Sequence, residues 1–174
     1  MFEPSGLTDA ELISRFHAGE KDREIAEDYG ITPQAVEKRR RKLGLKRNRV
    51  YDTVNEGLRT RWDIKSATNS GGHMRKYAIA TLKEWMRLRM GDKELSAESI
   101  HRAKAWAKER SIKEDVLYYD PDAPEPWLYR DRRPEDGRLA IDWPADLKFP
   151  STKFRQSLEI PRPEEWPYPE DTDQ

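Results

Sequence analysis

The sequence of 174 residues contains no cysteine, which excludes disulfide bonds, a thiolate nucleophile and any metal site built on cysteine. Its three histidines, His17, His73 and His101, do not share the short spacing of zinc ligands. We therefore expect neither a metal nor a cofactor. No stretch reaches the ~18 apolar residues of a membrane span, and the N-terminus lacks a secretory pattern, so the expected location is the cytoplasm.

Charge is distributed unevenly along the chain, although its formal net value is zero. Residues 1–49 carry +2, residues 50–113 carry +6 and residues 114–174 carry -8. A polyanion responds to the local charge of a segment and not to the total. The first two thirds of the chain are therefore expected to face a polyanion such as nucleic acid.

Hydrophobic spacing and capping residues predict a mainly α fold with a small antiparallel β meander. The expected helices are Asp9–Ala18 after the cap Thr8, Asp22–Gly30, Thr32–Leu43, Met74–Met90 and a helix capped by Ser96. The expected strands are Val116–Tyr119, Trp127–Tyr129 and Leu139–Ile141. Residues 45–73 show no long period and receive no assignment. We divide the chain into an N-terminal domain (1–49), a small α+β domain (50–142) and a Pro-rich acidic tail (143–174).

The N-terminal domain carries a helix-turn-helix pattern. Ala26 provides the small residue where two helices cross, Gly30 tolerates the left-handed turn, and Val36 provides the aliphatic residue of the second helix. Ile25 and Ile31 complete this small core. An aliphatic residue is usual at the position of Arg39, and we expect Leu43 to replace it while the methylene stem of Arg39 covers the edge.

A cationic block follows, with eight Lys or Arg and no acid between Lys38 and Arg49. With Val36 turned inward, the outward face of the helix is expected to reach base edges through Gln34, Glu37, Lys38 and Arg41. Phosphate contacts are expected from Thr32, Arg40, Lys42, Lys46, Arg47 and Arg49. Two alternatives stay open: Glu37 pairs with Arg41 instead of a base, and residues 46–49 enter the minor groove as an extended arm.

Three stretches of the chain resemble the immunity repressors of temperate mycobacteriophages, and the resemblance covers roughly residues 5–140. The stretches are Asp22–Leu45, Asp63–His73 and Trp127–Gly137. The resemblance implies a transcriptional repressor that maintains lysogeny and superinfection immunity in a bacterial host cell. It also implies binding to asymmetric sites as a monomer, through the helix-turn-helix and a second DNA-binding domain. In that domain the candidate contacts are Asn69, Ser70, Arg75 and Lys76.

The leading hypothesis is therefore a sequence-specific repressor of double-stranded DNA that is not an enzyme. One alternative is another phage DNA-binding protein, such as a terminase small subunit, but no sustained heptad supports its oligomerisation helices. A second alternative is the targeting module of a recombinase or nuclease. That chemistry requires clustered carboxylates with metal or a His-rich site, and the acids and histidines of this chain are scattered.

Overall fold

A computed structural model describes residues 6–62 and 72–166, and the chain divides into two compact units, Met1–Arg75 and Lys76–Gln174. The first unit contains helices α1 (Asp9–His17), α2 (Asp22–Asp28), α3 (Pro33–Lys42) and α4 (Arg49–Trp62), and the short 3-10 helix His73–Arg75. The second contains α5 (Tyr77–Arg89), α6 (Ala97–Lys113), β1 (Asp115–Tyr119), β2 (Trp127–Asp131) and α7 (Thr152–Ser157), and 3-10 helices at Pro134–Asp136 and Pro163–Glu165. The mainly helical fold class with a small antiparallel sheet is confirmed.

Local capping chemistry defines the helix ends of the first unit. The Thr8 side chain accepts a hydrogen bond from the Glu11 backbone, and the Glu11 carboxylate accepts one from Thr8 N at 2.7 Å, which forms a capping box. Thr32 accepts from Ala35 N at 3.2 Å, and Pro33 occupies the first helical position of α3. These predicted caps are confirmed.

Helix α4 lies where the sequence received no assignment. Val54 and Leu58, four residues apart, are fully buried and form its inward face. Ion pairs join α4 to α2 and its N-cap: Nζ of the N-cap Lys21 lies 2.7 Å from Glu56, and Arg59 Nη2 lies 2.8 Å from Glu24. Helix α4 therefore belongs to the first compact unit, which extends to residue 75 and does not end at residue 49.

The second unit is built on α5 and α6 with a β hairpin. Ser96 caps α6 by accepting from Ser99 N at 3.1 Å, as predicted. Glu114 ends the helix in a left-handed conformation, with φ of 50°, and connects it directly to β1. The strands are antiparallel, with Tyr119 opposite Trp127. The third predicted strand forms isolated bridges, because Ile141 pairs with Leu117 and Leu139 with Glu159.

Much of the predicted tail belongs to the second unit. Phe154 and Leu158, from α7 and its C-cap, are completely buried. Two backbone carbonyls nearby accept hydrogen bonds from side chains of the helices: Glu159 O from Trp85 Nε1 at 3.1 Å, and Pro161 O from Ser111 Oγ at 2.6 Å. The prediction of a tail beginning at residue 143 is wrong up to residue 166, because these apolar residues have partners that composition alone does not reveal. Among the described residues, none of the helices combines the length and apolar character needed to span a membrane.

Candidate nucleic-acid interface

The turn between α2 and α3 fixes the direction of α3. Gly30 adopts a φ of +61°, and Ile31 N donates to Ala26 O at 3.0 Å. Ile25, Ala26 and Val36 are buried together with Leu7 and Leu12, and Tyr29, Ile31 and Leu43 pack against this cluster. The core predicted from the helix-turn-helix pattern is confirmed, including the packing role of Leu43. With Val36 completely buried, the opposite face of α3 is presented to solvent.

That solvent-facing side brings the predicted base-reading residues together. Gln34, Lys38 and Arg41 are exposed, one turn apart along the helix. Glu37 lies beside them and pairs with Arg41, with Arg41 Nη2 2.7 Å from Glu37 Oε1. Of the two alternatives for Glu37, the structure contains the intrahelical pair. Because 74 % of the Arg41 side chain is still exposed, its guanidinium remains accessible.

A group of unpaired cations continues from this face along the cationic block. Lys38, Lys42, Lys46 and Arg49 are all exposed, and none has a carboxylate partner within residues 6–62 and 72–166. Arg23, on the first turn of α2, shares these properties and was missed by the sequence analysis. The signal that could have identified it is its place in the first turn of α2 between the acids Asp22 and Glu24, since it is exposed whereas those two acids are partly buried.

Thr32 contributes both to the fold and to this surface. Its hydroxyl oxygen accepts from Ala35 N, which stabilises the start of α3. The residue is nevertheless exposed, and the hydroxyl proton remains available as a donor. A phosphate at this end of α3 would also be favoured by the positive end of the helix dipole.

Arg40 has an internal role that the sequence analysis did not predict. Its side chain is 8 % exposed, and its Nε lies 3.1 Å from both carboxylate oxygens of Asp22. Its Nη1 donates to Leu45 O at 2.6 Å. Arg40 lies four residues after Val36 and therefore shares its inward side, which is the signal that could have revealed this role.

Arg47, another predicted phosphate contact, is also engaged inside the first unit. Its Nη2 donates to Asp22 Oδ1 and to Glu20 O, both at 2.8 Å, and its Nη1 donates to Asp52 at 3.3 Å. The guanidinium lies 5.0 Å from the centre of the Phe16 ring. Because 24 % of the side chain is exposed, Arg47 is more accessible than Arg40.

Arg39 connects α3 to the N-terminal end of α1. Its Nε lies 2.6 Å from Asp9 Oδ1, and its Nη1 donates to the carbonyl of Leu7. The residue thus does more than cover the edge of the core with its methylene stem. Arg39, Arg40 and Arg47 all have partners within the first unit. These three cations of the block are therefore not among its unpaired, solvent-facing cations.

A further ion cluster joins α1 to α2. Arg15 binds the carboxylates of Glu20 and Asp28. Burial disfavours the charged guanidinium, but these two carboxylates outweigh that effect and raise the pKa of Arg15 above its ordinary value. Arg15 of α1 is therefore joined by ion pairs to the turn residue Glu20 and to Asp28 of α2.

The structure does not place the predicted contacts of the second domain in one unit. Asn69 and Ser70 lie outside the described residues. Arg75 belongs to the first unit, where its Nη1 lies 3.2 Å from Ser14 Oγ, and it is exposed. Lys76 is the N-cap of α5 in the second unit, and its Nζ lies 3.8 Å from Glu125.

Lys76 stands at the rim of a groove of about 910 Å³ in the second unit. Aromatic side chains line it, among them Trp106, whose Nε1 donates to the hydroxyl of Tyr129 at 2.9 Å. The cations of the groove are compensated by carboxylates: Arg102 by Glu84, Arg110 by Asp115, and Lys113 by Glu109. The concentration of unpaired cations is therefore found in the first unit and not in this groove.

No group of three or more potential metal ligands occurs in the described parts of the chain. Comparison of the chain with protein-family models gives no match, and comparison with curated proteins gives none either.

Proposed function

We propose that this protein is a sequence-specific, non-enzymatic binder of double-stranded DNA that acts as a transcriptional repressor. One observation carries the proposal: α3, held by a helix-turn-helix core, presents Gln34, Lys38 and Arg41 on one exposed face. A helix of this kind fits the major groove of B-DNA, where base edges carry a distinct pattern of donors and acceptors.

The three side chains of this face suit different bases. Arg41 and Lys38 are donors that match the O6 and N7 acceptors of guanine, and the Gln34 amide can both donate to and accept from adenine. The pair between Glu37 and Arg41 holds the guanidinium in a limited set of orientations, which favours one base position over its neighbours. These contacts would provide sequence preference.

Affinity would come from the unpaired cations around that face. Lys42, Lys46 and Arg49 are exposed and have the charge and reach for phosphate contacts, and Thr32 can donate its hydroxyl proton at the start of α3. Phosphate contacts position a protein on the duplex without reading its sequence. Arg40 and Arg47 are not included in this set, because their guanidinium groups are committed to Asp22.

The regulatory role follows from the resemblance to the immunity repressors of temperate mycobacteriophages. We propose that the protein maintains lysogeny and superinfection immunity in the cytoplasm of the bacterial host. In this proposal Arg75 and Lys76 belong to a second DNA-contacting region. A helix-turn-helix alone contacts about 4–6 base pairs, which is too few for genomic specificity at about 1–3 kcal/mol per base pair.

A footprint of the full chain across phage genomic DNA tests the proposal directly. We expect discrete protected sites that survive a large excess of scrambled duplex, and uniform protection that disappears with competitor would refute sequence-specific binding. Incubation with supercoiled plasmid and Mg²⁺ tests the enzymatic alternative, since a nuclease or recombinase module would nick or relax the DNA.

A further inference from the structure

Asp22 occupies a central position among the cations of the first unit. It is the first residue of α2, and 18 % of its side chain is exposed. Its carboxylate accepts from Arg40 Nε at 3.1 Å and from Arg47 Nη2 at 2.8 Å. One acid thus neutralises two members of a block that contains no acid of its own.

The location of Arg47 makes this pairing relevant to DNA binding. Arg47 lies between Lys46 and Arg49, both of which are exposed and unpaired among the described residues. It differs from those neighbours in being directed toward Asp22, Asp52 and the Glu20 carbonyl. Both guanidinium groups also bind a backbone carbonyl, but the Arg40 side chain is 8 % exposed and that of Arg47 is 24 % exposed. Because of this difference in burial, we expect Arg47, and not Arg40, to turn toward solvent when Asp22 loses its charge.

We propose that Asp22 is a specificity-determining residue, which limits sequence-independent DNA binding by holding Arg47 away from the phosphates. This inference rests on the proposed function and deepens it. Specificity is the difference between the affinity for the cognate site and the affinity for all other DNA. Holding a cation away from the phosphate backbone lowers the affinity for non-cognate DNA. The base-reading side chains on α3 are unaffected.

The salt dependence of binding measures how many phosphates a protein neutralises. For B-DNA the slope of log K against log salt concentration steepens by about 0.9 for each additional phosphate. Release of Arg47 should therefore steepen the slope by about 0.9. Between 50 and 200 mM salt, this corresponds to an additional loss of affinity of about 3.5-fold.

The experiment uses the full chain and a fluorescent 30-base-pair duplex of scrambled sequence, with anisotropy measured across a range of salt concentrations. The variants are Asp22→Asn, Arg47→Gln and the double variant. Glu27→Gln is the matched control, because Glu27 is an exposed acid of the same helix and has no partner within the described residues. Circular dichroism at the assay temperature confirms that each variant is folded.

We expect Asp22→Asn to bind the scrambled duplex more tightly and with the steeper slope, and Glu27→Gln to keep the wild-type slope. The double variant should return to the wild-type slope, and Arg47→Gln alone should not change it. A double variant as steep as Asp22→Asn would overturn the inference, as would an unchanged slope in Asp22→Asn. A shallower slope in Arg47→Gln would also overturn it, even if Asp22→Asn failed to fold, because Arg47 would then contact phosphate in the native protein.

Failure of the proposed function gives a different result. A wild-type protein that does not bind the duplex at 50 mM salt would refute DNA binding as such. A wild-type protein that binds, with all four variants giving the same slope, would leave DNA binding intact and remove the role of Asp22.

Discussion

Gly19 lies directly against Asn55, so that a Cβ on Gly19 would be 2.3 Å from the Cβ of Asn55. Gly19 forms the turn after α1, and Asn55 is a buried residue of α4 whose Nδ2 donates to Tyr51 O at 2.8 Å. This close approach places α4 against the turn between α1 and α2. The residue that ends α1 therefore also determines how the fourth helix packs.

Substitution of Gly19 by alanine should destabilise the first unit by about 2–4 kcal/mol, since it combines a left-handed φ of +86° with overpacking against Asn55. Gly30→Ala is the matched control, because Gly30 also has a positive φ but has no neighbouring atom within 4 Å of the place where a Cβ would lie. Thermal unfolding followed by circular dichroism measures both. Equal losses for the two variants would show that the contact with Asn55 contributes nothing.

Substitution of Lys38 or Arg41 by alanine should cost about 1–3 kcal/mol of binding to a footprinted site and weaken the preference at one or two base pairs. The reason is that both side chains lie on the exposed face of α3. Lys93→Ala in the second unit is the control, because it removes an exposed cation remote in sequence from α3. Anisotropy titrations with the site and with single-base variants measure the effect, and unchanged binding by both α3 variants would exclude this helix as the reader.

Asp136 should make the stability of the second unit depend on pH in the acidic range. It accepts from Arg130 Nη1 at 2.8 Å and Nη2 at 2.7 Å, and from Arg133 N at 2.7 Å. The hydrogen bonds from Arg130 outweigh the effect of burial and lower the pKa of Asp136 below its ordinary value of 3.8. Because the pKa is lowered on folding, the carboxylate stabilises the fold fully above pH 3.8, and this contribution disappears as the pH falls further.

We therefore expect Asp136→Asn to be about 1–3 kcal/mol less stable than the wild type at neutral pH, with a difference that shrinks at lower pH. Urea unfolding followed by tryptophan fluorescence suits this test, since five of the six tryptophans lie in the second unit. Asp131→Asn is the control, because Asp131 is an exposed acid at the end of β2, the strand that carries Arg130. A difference that persists undiminished well below pH 3.8 would argue that charge at Asp136 is not the cause.

The protein should bind its site as a monomer. A twofold dimer requires a self-complementary surface of at least about 1,200 Å² in total. Within the described residues, the large hydrophobic side chains that are exposed are Tyr77, Ile112 and Tyr129, which provide much less area. Light scattering of the free protein and of its complex with a short duplex should give one chain in each, and two chains on a palindromic site would contradict the prediction.

The parts of the fold that the sequence predicted are those governed by local chemistry. Thr8, Thr32 and Ser96 are caps because their hydroxyls accept from backbone N–H groups three residues later. Helix α4 was missed because Gly57 interrupts its pattern and its first turn follows the cationic block without a break. The spacing of Val54 and Leu58 is consistent with one face of a helix. That this face is buried depends on tertiary packing, which a local sequence pattern cannot predict.

The sequence predicted which residues of α3 face outward, but it did not predict which cations of the block are paired. The outward residues of α3 follow from the helical period once Val36 is placed inward. Arg40 and Arg47 were assigned to phosphates because they belong to a basic block. Their actual partner, Asp22, is 18 residues from Arg40 and 25 from Arg47 in the sequence, and such a pairing becomes visible when the helices are packed.

The direct passage from α6 to β1 through Glu114 leaves no spare length at this junction. Its backbone carbonyl accepts from Arg132 N at 2.8 Å, so both sides of the connection are anchored. Because successive side chains of a strand point to opposite sides, one inserted residue would exchange the two sides of β1. Evolution or design can therefore change which residue stands at position 114, glycine being the most favourable replacement, while the number of residues there is fixed by the hairpin.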